Sequence, residues 1–314
     1  MSRVLLTGAT GFVGRHALAA LVRDGHEVHA VARAAGPPQA DVTWHALDLL
    51  DLSAPGVALI DELRPEVIMH LAWYAAHGEF WTSTENVRWV EASLALLRAF
   101  AAAGGRRAVF AGTCAEYDWA NDRLDEDAPL RPATLYGASK HALQVVAQAF
   151  CDQAGVELAW GRLFFLYGPY EDPARFVSSI ILALLRGEPA SMTPGTQRRD
   201  FMHTADAGDA FAALVGADVC GPVNVASGKA LTLRELAETI AARIDGAELR
   251  VGARPLAPDD PPALTTAARR LREEVGWTPA IGLSEGLDQV IGWWRERLVD
   301  DARVPPSPPR RVAP

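Results

Sequence analysis

Within its first fourteen residues the chain restricts itself to a narrow set of folds. The apolar run Val4-Leu5-Leu6 leads directly into TGATGFVG, where Gly8, Gly11 and Gly14 recur every third residue and a helical pattern follows. Glycines placed this way let a strand turn tightly into a helix. They also let backbone amides approach an anion and set that anion at the positive end of the helix. A tight, closely packed turn would use the same glycines. Their position, with a strand before and a helix after, is what favours the pyrophosphate of a dinucleotide.

Short apolar or β-branched runs then alternate with longer helical patterns. The spacing predicts strands at 3–7, 27–32, 42–46, 67–71, 107–112 and 156–165, with helices at 12–24, 54–64, 83–103 and 134–154 between them. Runs apolar on both faces, such as Val67 to Leu71, fit a sheet covered on both sides. Right-handed crossovers then leave an α/β fold with a doubly wound parallel (Rossmann) sheet. After about residue 166 the rhythm changes to Gly/Pro punctuation at Gly168-Pro169, Pro194-Gly195, Gly221-Pro222 and Pro261-Pro262. A smaller C-terminal α/β lobe for the substrate is expected there, with helices at 173–186, 204–216, 232–244, 266–274 and 284–299. The expected division is a dinucleotide-binding domain over 1–165, with 200–216 packing back on it, a substrate lobe over 166–302, and a proline-rich disordered tail over 303–314.

Composition narrows the function. The 314 residues are 49% hydrophobic, enough for a sizeable core, and carry a formal charge of −9. That acidic balance argues against nucleic acid or an anionic membrane as partner, and no run of apolar residues is long enough to span a bilayer. Cys114, Cys151 and Cys220 show no paired spacing, which fits a reducing compartment without disulfides or zinc. No signal-peptide pattern precedes the first strand, so a cytoplasmic location is expected.

The end of the second strand distinguishes the two nicotinamide dinucleotides. A free ribose 2′-hydroxyl is usually met there by Asp or Glu, and a 2′-phosphate by a cation. Here Arg33 follows the strand, no carboxylate occurs before Asp41, and Arg15 just after the glycines could add a second guanidinium. NADP(H) is therefore favoured and NAD(H) is the alternative; a solvated surface arginine is the plain reading of Arg33. Asp48, after the third strand, is placed either to accept from the adenine amino group or simply to start a helix.

Tyr136 and Lys140, in YGASK, stand four apart on a predicted helix and so share a face. A phenol titrates near 10 in water, and a fixed ammonium beside it would favour the phenolate and bring it toward working range. The same ammonium could hold the ribose of the nicotinamide half. Thr113, at the carboxyl end of the fifth strand, could share a substrate oxygen with Tyr136. A buried ring with a snorkelling lysine is the plain alternative.

TGATGFVG, HLA at 70–72, Thr113, YGASK, RLFFLYGP at 162–169 and RDFMH at 199–203 together resemble the extended short-chain dehydrogenase/reductases, in their nucleotide-sugar epimerase, dehydratase and ketoreductase branch. The likeness runs from residue 1 to about 300. It implies that Thr113, Tyr136 and Lys140 are catalytic. It further implies that Gly8, Gly11, Phe12, Val13, Gly14, Arg33, Asp48, Leu49, Leu71, Ala72 and Lys140 contact the cofactor, and that a C-terminal lobe grips a nucleoside-diphosphate sugar. Dimers in the family commonly pair two helices per subunit, here 83–103 and 134–154.

Departures from the family narrow the chemistry. Dehydratases place acidic or polar residues directly after the catalytic Thr, where this chain has Cys114 and Ala115. Glu116 follows them; strand alternation puts it on the face of Cys114, as a structural carboxylate, with a substrate contact as the alternative. Phe165 stands where relatives usually carry an Asn that contacts the sugar or diphosphate. Arg199 and Arg254 match positions used against the diphosphate, with surface salt bridges as the alternative. The aromatic segment Trp73 to Trp81 should overhang the nicotinamide or pack as a lid; within it His77 is a candidate acid or base, while His70 and His203 read as core histidines. The leading expectation is an NADP(H)-dependent ketoreductase of a nucleoside-diphosphate keto-deoxysugar. An epimerase with tightly held cofactor is second. A noncatalytic cofactor sensor is third, ranked last because Tyr136 and Lys140 are both present.

Overall fold

The computed structural model describes residues 1–303 except 35, 37, 38, 40, 52 and 53. Seven parallel strands form the main sheet: β1 (Arg3–Thr7), β2 (Glu27–Ala32), β3 (Val42–Ala46), β4 (Val67–His70), β5 (Arg107–Thr113), β6 (Glu157–Leu163) and, from much later in the chain, β10 (Gly221–Val225). Their spatial order is β10-β6-β5-β4-β1-β2-β3. The chain therefore winds outward from β1 through β2 and β3, then returns to β4 on the other side of β1. The crevice at such a reversal, beyond the carboxyl ends of β1 and β4, is where open α/β sheets hold ligands.

Every residue of β4 and β5 is buried, as strands covered on both faces must be. One face carries α1 (Gly14–Arg23) and α6 (Thr204–Gly216), whose Leu18, Leu21, Phe211 and Leu214 pack with Val4, Leu6 and Val109. The other carries α2 (Ala54–Leu63), α3 (Glu85–Ala102) and α4 (Leu135–Ala154), whose Ile60, Leu97, Phe100 and Leu143 pack with Leu5, Ile68 and Phe110. The ends of α4 are set locally. Thr134 Oγ1 accepts from the Gly137 amide at its start, and Gly155 ends it in the left-handed conformation, φ 69°.

A third core lies beside the main sheet. It is built by α5 (Phe176–Leu185), α7 (Leu233–Ala241) and α9 (Leu283–Arg303) around Ile181, Leu236, Ile240 and Val290. Around it lie β7 (Phe165–Tyr167), β9 (Arg198–His203), β11 (Ala230–Thr232) and β13 (Ala263–Leu264) in one small sheet, with β8 (Ala190–Ser191) and β12 (Leu249–Arg250) paired in another. A short helix, α8 (Arg269–Glu273), packs against β10.

Two elements differ from the sequence reading. The single strand expected over 156–165 is two: β6 stops at Leu163, and β7 leaves to pair with β9. The second is β10, which belongs to the main sheet although it lies within the stretch assigned to the lobe. Its Gly221-Pro222 reads as punctuation, yet a proline is tolerated on a sheet edge, where one side needs no amide donor. The tail expected over 303–314 lies, from 304 on, outside the described residues. Among the described residues no helix is long and apolar enough to cross a membrane.

Candidate active site

The glycine loop is built by the absence of side chains. Gly8 sits at φ +76°, and a Cβ there would lie 2.7 Å from the Ala72 amide nitrogen and 2.8 Å from the Leu71 carbonyl carbon. A Cβ on Gly14 would run into the Gly8 carbonyl oxygen. The Gly11 amide closes the turn on Gly8 O at 2.9 Å. α1 then starts with no side-chain cap and no acidic residue in its first turn. A pyrophosphate fits such a place: amides without side-chain partners, at the positive end of a helix, with no Cβ in the way. Arg15 braces the far side, donating from Nε to Gly11 O at 3.1 Å and from Nη2 to Thr10 O at 2.7 Å. Its guanidinium also stacks 3.7 Å over the Tyr170 ring, so it is already engaged by the loop. Thr204 Oγ1 donates to Phe12 O at 3.1 Å and ties the loop to α6.

Arg33 is exposed at the end of β2 and makes no ion pair among the described residues. Asp48 accepts from the Leu50 amide at 3.0 Å and opens the 3-10 turn Leu49–Asp51, with Leu49 buried in the core.

From the glycine loop a cavity of about 450 Å³ runs to the carboxyl end of β5 and on toward α5. Thr113, Tyr136 and Lys140 all line it, as do Gly8, Gly11, Phe12, Val13, Gly14, Leu71 and His77. Ala72 stays behind the wall, against Gly8. His77 is exposed at the cavity mouth. His70 is buried and bonded on both nitrogens, to Thr7 Oγ1 at 2.7 Å and Ser93 Oγ at 2.9 Å. His203 caps α6 by accepting from the Ala205 amide, with its Nε2 buried and unpartnered.

Thr113 ends β5 and starts a 3-10 turn over Cys114–Glu116, accepting from the Ala115 amide at 3.2 Å. Because the strand has already ended, alternation does not govern Glu116. Its carboxylate turns back instead and accepts from the Thr113 amide at 2.8 Å, Trp160 Nε1 at 3.0 Å and Arg162 Nε at 2.8 Å, wholly buried. Glu116 is thus a structural carboxylate that fixes the backbone of Thr113.

The Tyr136 ring stands edge-on to Phe80 and Trp81, at centroid distances of 4.9 and 5.7 Å. Burial pushes its phenol up to about 12, while the Thr113 hydroxyl pulls the other way. Lys140 is buried, donates from Nζ to Ala111 O at 2.8 Å and lies 3.7 Å over the Trp73 ring. Burial lowers it to about 7 against the pull of Glu116. The expected mutual help of ammonium and phenol is therefore outweighed: desolvation disfavours the charged form of each, and the charges that act on Tyr136 are those of Cys114, Glu116 and Arg175.

The walls beyond Thr113, Tyr136 and Lys140 are aromatic, including Trp119, Phe165, Phe176 and Phe201, with Phe165 packed on Phe201 at 5.6 Å. Two charged residues that sequence reasoning did not single out, Glu171 and Arg175, also line the cavity. Glu171 is buried, accepts from Ser178 Oγ at 2.7 Å and is raised by burial to about 7. Their only sequence signal is that they follow the turn after β7. Neither of the two arginines assigned to a diphosphate lines this cavity, although the Arg199 guanidinium lies behind its wall, 5.5 Å from the centre of the Phe165 ring. Arg199 is buried and paired with Asp260 at 2.6 Å. Arg254 is exposed, its amide bonded to Met192 O at 3.1 Å.

The chain is similar to several enzymes of nucleotide sugars. Over 324 residues the chain is 26% identical to UDP-glucuronic acid decarboxylase 1 of Xenopus tropicalis, covering 99% of this chain and 77% of the relative. It is 28% identical to UDP-glucose 4-epimerase of Streptomyces lividans, covering 88% of this chain and 92% of that one. Among solved structures, MoeE5 in complex with UDP-glucuronic acid and NAD superposes with a TM-score of 0.81 at 29% identity, over 94% of this chain and 99% of MoeE5. The NAD dependent NDP-hexosamine 5,6-dehydratase TunA of tunicamycin biosynthesis does so with 0.81 at 27%, over 96% of this chain and 100% of TunA. The stretch from β1 to β10, which carries the glycine loop, Thr113, Tyr136 and Lys140, is also what a family model matches, over residues 4–226. By that match this chain belongs to the NAD dependent epimerase/dehydratase family, a family of enzymes.

Proposed function

We propose that the protein is an NADP(H)-dependent ketoreductase of a nucleoside-diphosphate keto-deoxysugar. The observation that carries this reading is the meeting of Thr113, Tyr136 and Lys140 in one cavity that opens from the glycine loop. When bound, the dinucleotide supplies hydride for the ketone carbon. Tyr136 Oη then donates the proton to the ketone oxygen, which a half-buried, largely protonated phenol is suited to do, and Thr113 Oγ1 orients that oxygen. Lys140 holds the ribose. Directly after Thr113, the Cys114 thiol is pushed by burial up to about 12 and Ala115 has no proton to move, so this position lacks an acid and base for water loss. The aromatic walls suit a sugar face that has lost hydroxyls, since each buried hydroxyl would need a partner.

Arg33 at the end of β2 supports NADP(H), and the NAD held by the related MoeE5 keeps NAD(H) as the alternative. An epimerase reading has its own support in the Streptomyces relative. For the substrate diphosphate, Arg199 and Arg254 remain the candidate cations. The seven-stranded body would hold the cofactor and the lobe around α5, α7 and α9 the sugar nucleotide. Val87 on α3 and Val145 and Val146 on α4 are exposed, which supports a homodimer through those helices; sedimentation measures it.

The direct test mixes purified protein with NADPH or NADH and a nucleoside-diphosphate 4-keto-6-deoxyhexose. Loss of reduced-nicotinamide absorbance supports the ketoreductase. Isomer exchange with copurifying cofactor and no net consumption supports the epimerase. Tyr136→Phe should lower turnover about 10²–10⁴-fold while cofactor binding persists; unchanged turnover would remove Tyr136 from the reaction.

A further inference from the structure

Lys140 has few compensations for being buried. Among the described residues no carboxylate pairs with it, and its partners are one carbonyl, Ala111 O, and the face of Trp73. The ionisable groups around it do not neutralise it locally. Glu116, beyond the end of β5, favours the charge but spends its hydrogen bonds on Thr113, Trp160 and Arg162. His70 on β4 is a neutral, doubly bonded imidazole. Tyr136 on the same helix, Cys114 on the turn, Glu171 and Arg175 across the cavity, and the exposed His77 at its mouth are the other titratable or charged groups of the lining.

The indole is held where it is. Trp73 Nε1 donates to Asn86 Oδ1 at 2.8 Å, and Asn86 is fully buried and tethered through Nδ2 to Phe80 O at 2.7 Å and Ser83 O at 2.8 Å. Trp89 packs beside it, with centroids 6.1 Å apart. The ring, after β4 and tied to Asn86 at the start of α3, thus presents its negative face to Nζ as a fixed surface, leaving Lys140 hydrogens free for a ligand. We propose that Trp73 is a positioning residue that keeps Lys140 an oriented ammonium at the cavity wall. The inference rests on Lys140 being the ribose-holding cation, but its test does not need turnover.

The chain offers an unusually clean probe, because Lys140 and the exposed Lys229 are its only lysines. Protein grown with lysine labelled at Cε should show two carbon resonances, and Lys140→Arg assigns one of them. In Trp73→Leu, which keeps the wall dry but removes the π face, the Lys140 titration should move down by about half to one pH unit. In Trp73→Phe it should move down by less, since the smaller ring binds a cation more weakly. NADPH affinity at pH 8 should fall in the same order. If Trp73→Leu and Trp73→Phe both titrate with the wild type, or move upward, the assignment is overturned. Trp73→Phe alone decides the matter if the leucine variant does not fold. Failure of the ketoreductase reading would appear as absent turnover with the lysine shifts intact.

Discussion

The glycine loop and the arginines assigned to a diphosphate are both anion sites in the reading above, and they keep their capacity in different ways. The loop after β1 is made of backbone amides and missing Cβ atoms, and the side chain nearest to it, Arg15, binds its carbonyls rather than its amides. No carboxylate caps α1. Arg199, by contrast, is a side chain in a buried place, and a side-chain cation there attracts a carboxylate from its own chain, Asp260. Backbone donors aimed by a turn cannot swing to an internal partner, whereas a guanidinium side chain and a carboxylate side chain from an acidic loop can meet. The loop is therefore preformed for an anion, whereas Arg199 meets one only if Asp260 first leaves it.

The sharpest way to break this contrast is at Gly14. Its hypothetical Cβ meets the Gly8 carbonyl, a backbone atom that cannot turn aside. Gly14→Val should cost about 3 kcal/mol of stability by overpacking and weaken NADPH binding at least about 100-fold. Urea unfolding and fluorescence titration measure the two. A variant that binds dinucleotide like the wild type would show that the loop is not preformed in the sense argued.

Buried titratable groups should make stability respond to pH in two opposite senses. Burial lowers His16, His70 and His203 to about 4, 3 and 4, so the unfolded chain, with ordinary imidazoles near 6.5, binds protons that the fold refuses. Their contribution is intact above pH 6.5 and is lost as pH falls below it. Glu171 behaves in the opposite sense. Its carboxyl is raised from 4.5 to about 7, so its contribution is intact below 4.5 and is lost as pH rises through 7. Glu171→Gln keeps the Ser178 partner and removes the titration. It should therefore match the wild type near pH 4.5 and exceed it by about 2 kcal/mol at pH 8. Equal denaturant midpoints of the two proteins at pH 8 would place Glu171 in a wetter setting than its burial indicates.

The same contrast explains what was legible in the sequence. Apolar runs announce β1 and β4 most plainly because a doubly covered strand is largely apolar, and YGASK brings Tyr136 and Lys140 onto one face because helical spacing is local. Nothing local ends β6 at Leu163. RLFFLY is continuous in pattern, and only pairing of Phe165 with Phe201 divides it. Nor does spacing show that Asp260 reaches Arg199 from 61 residues away, or that the ring of Trp73, after β4, meets an ammonium on α4. The backbone-built part of the cleft is written in short motifs. The part built from side chains depends on loops whose meeting only the folded chain determines.

The smallest effect should come from Asp260, and it bears most directly on whether Arg199 takes an outside anion. One carboxylate oxygen accepts from Arg199 Nη2 at 2.6 Å and the other from Gln197 Nε2 at 2.6 Å, so the group occupies the guanidinium much as an incoming anion would. Its side chain is one-third exposed, on a loop rich in proline and acid, whereas Arg199 is buried, so exchange requires only the carboxylate to leave. Asp260→Asn keeps an acceptor for Arg199 but removes the competing charge. If Arg199 meets the substrate diphosphate, the variant should bind UDP about three- to ten-fold more tightly by calorimetry, roughly 1 kcal/mol. Its salt dependence should steepen as the bare guanidinium takes the phosphate alone. An affinity for UDP that stays level or drops would assign the Arg199–Asp260 pair to the architecture of β9, and leave the diphosphate to Arg175 or Arg254.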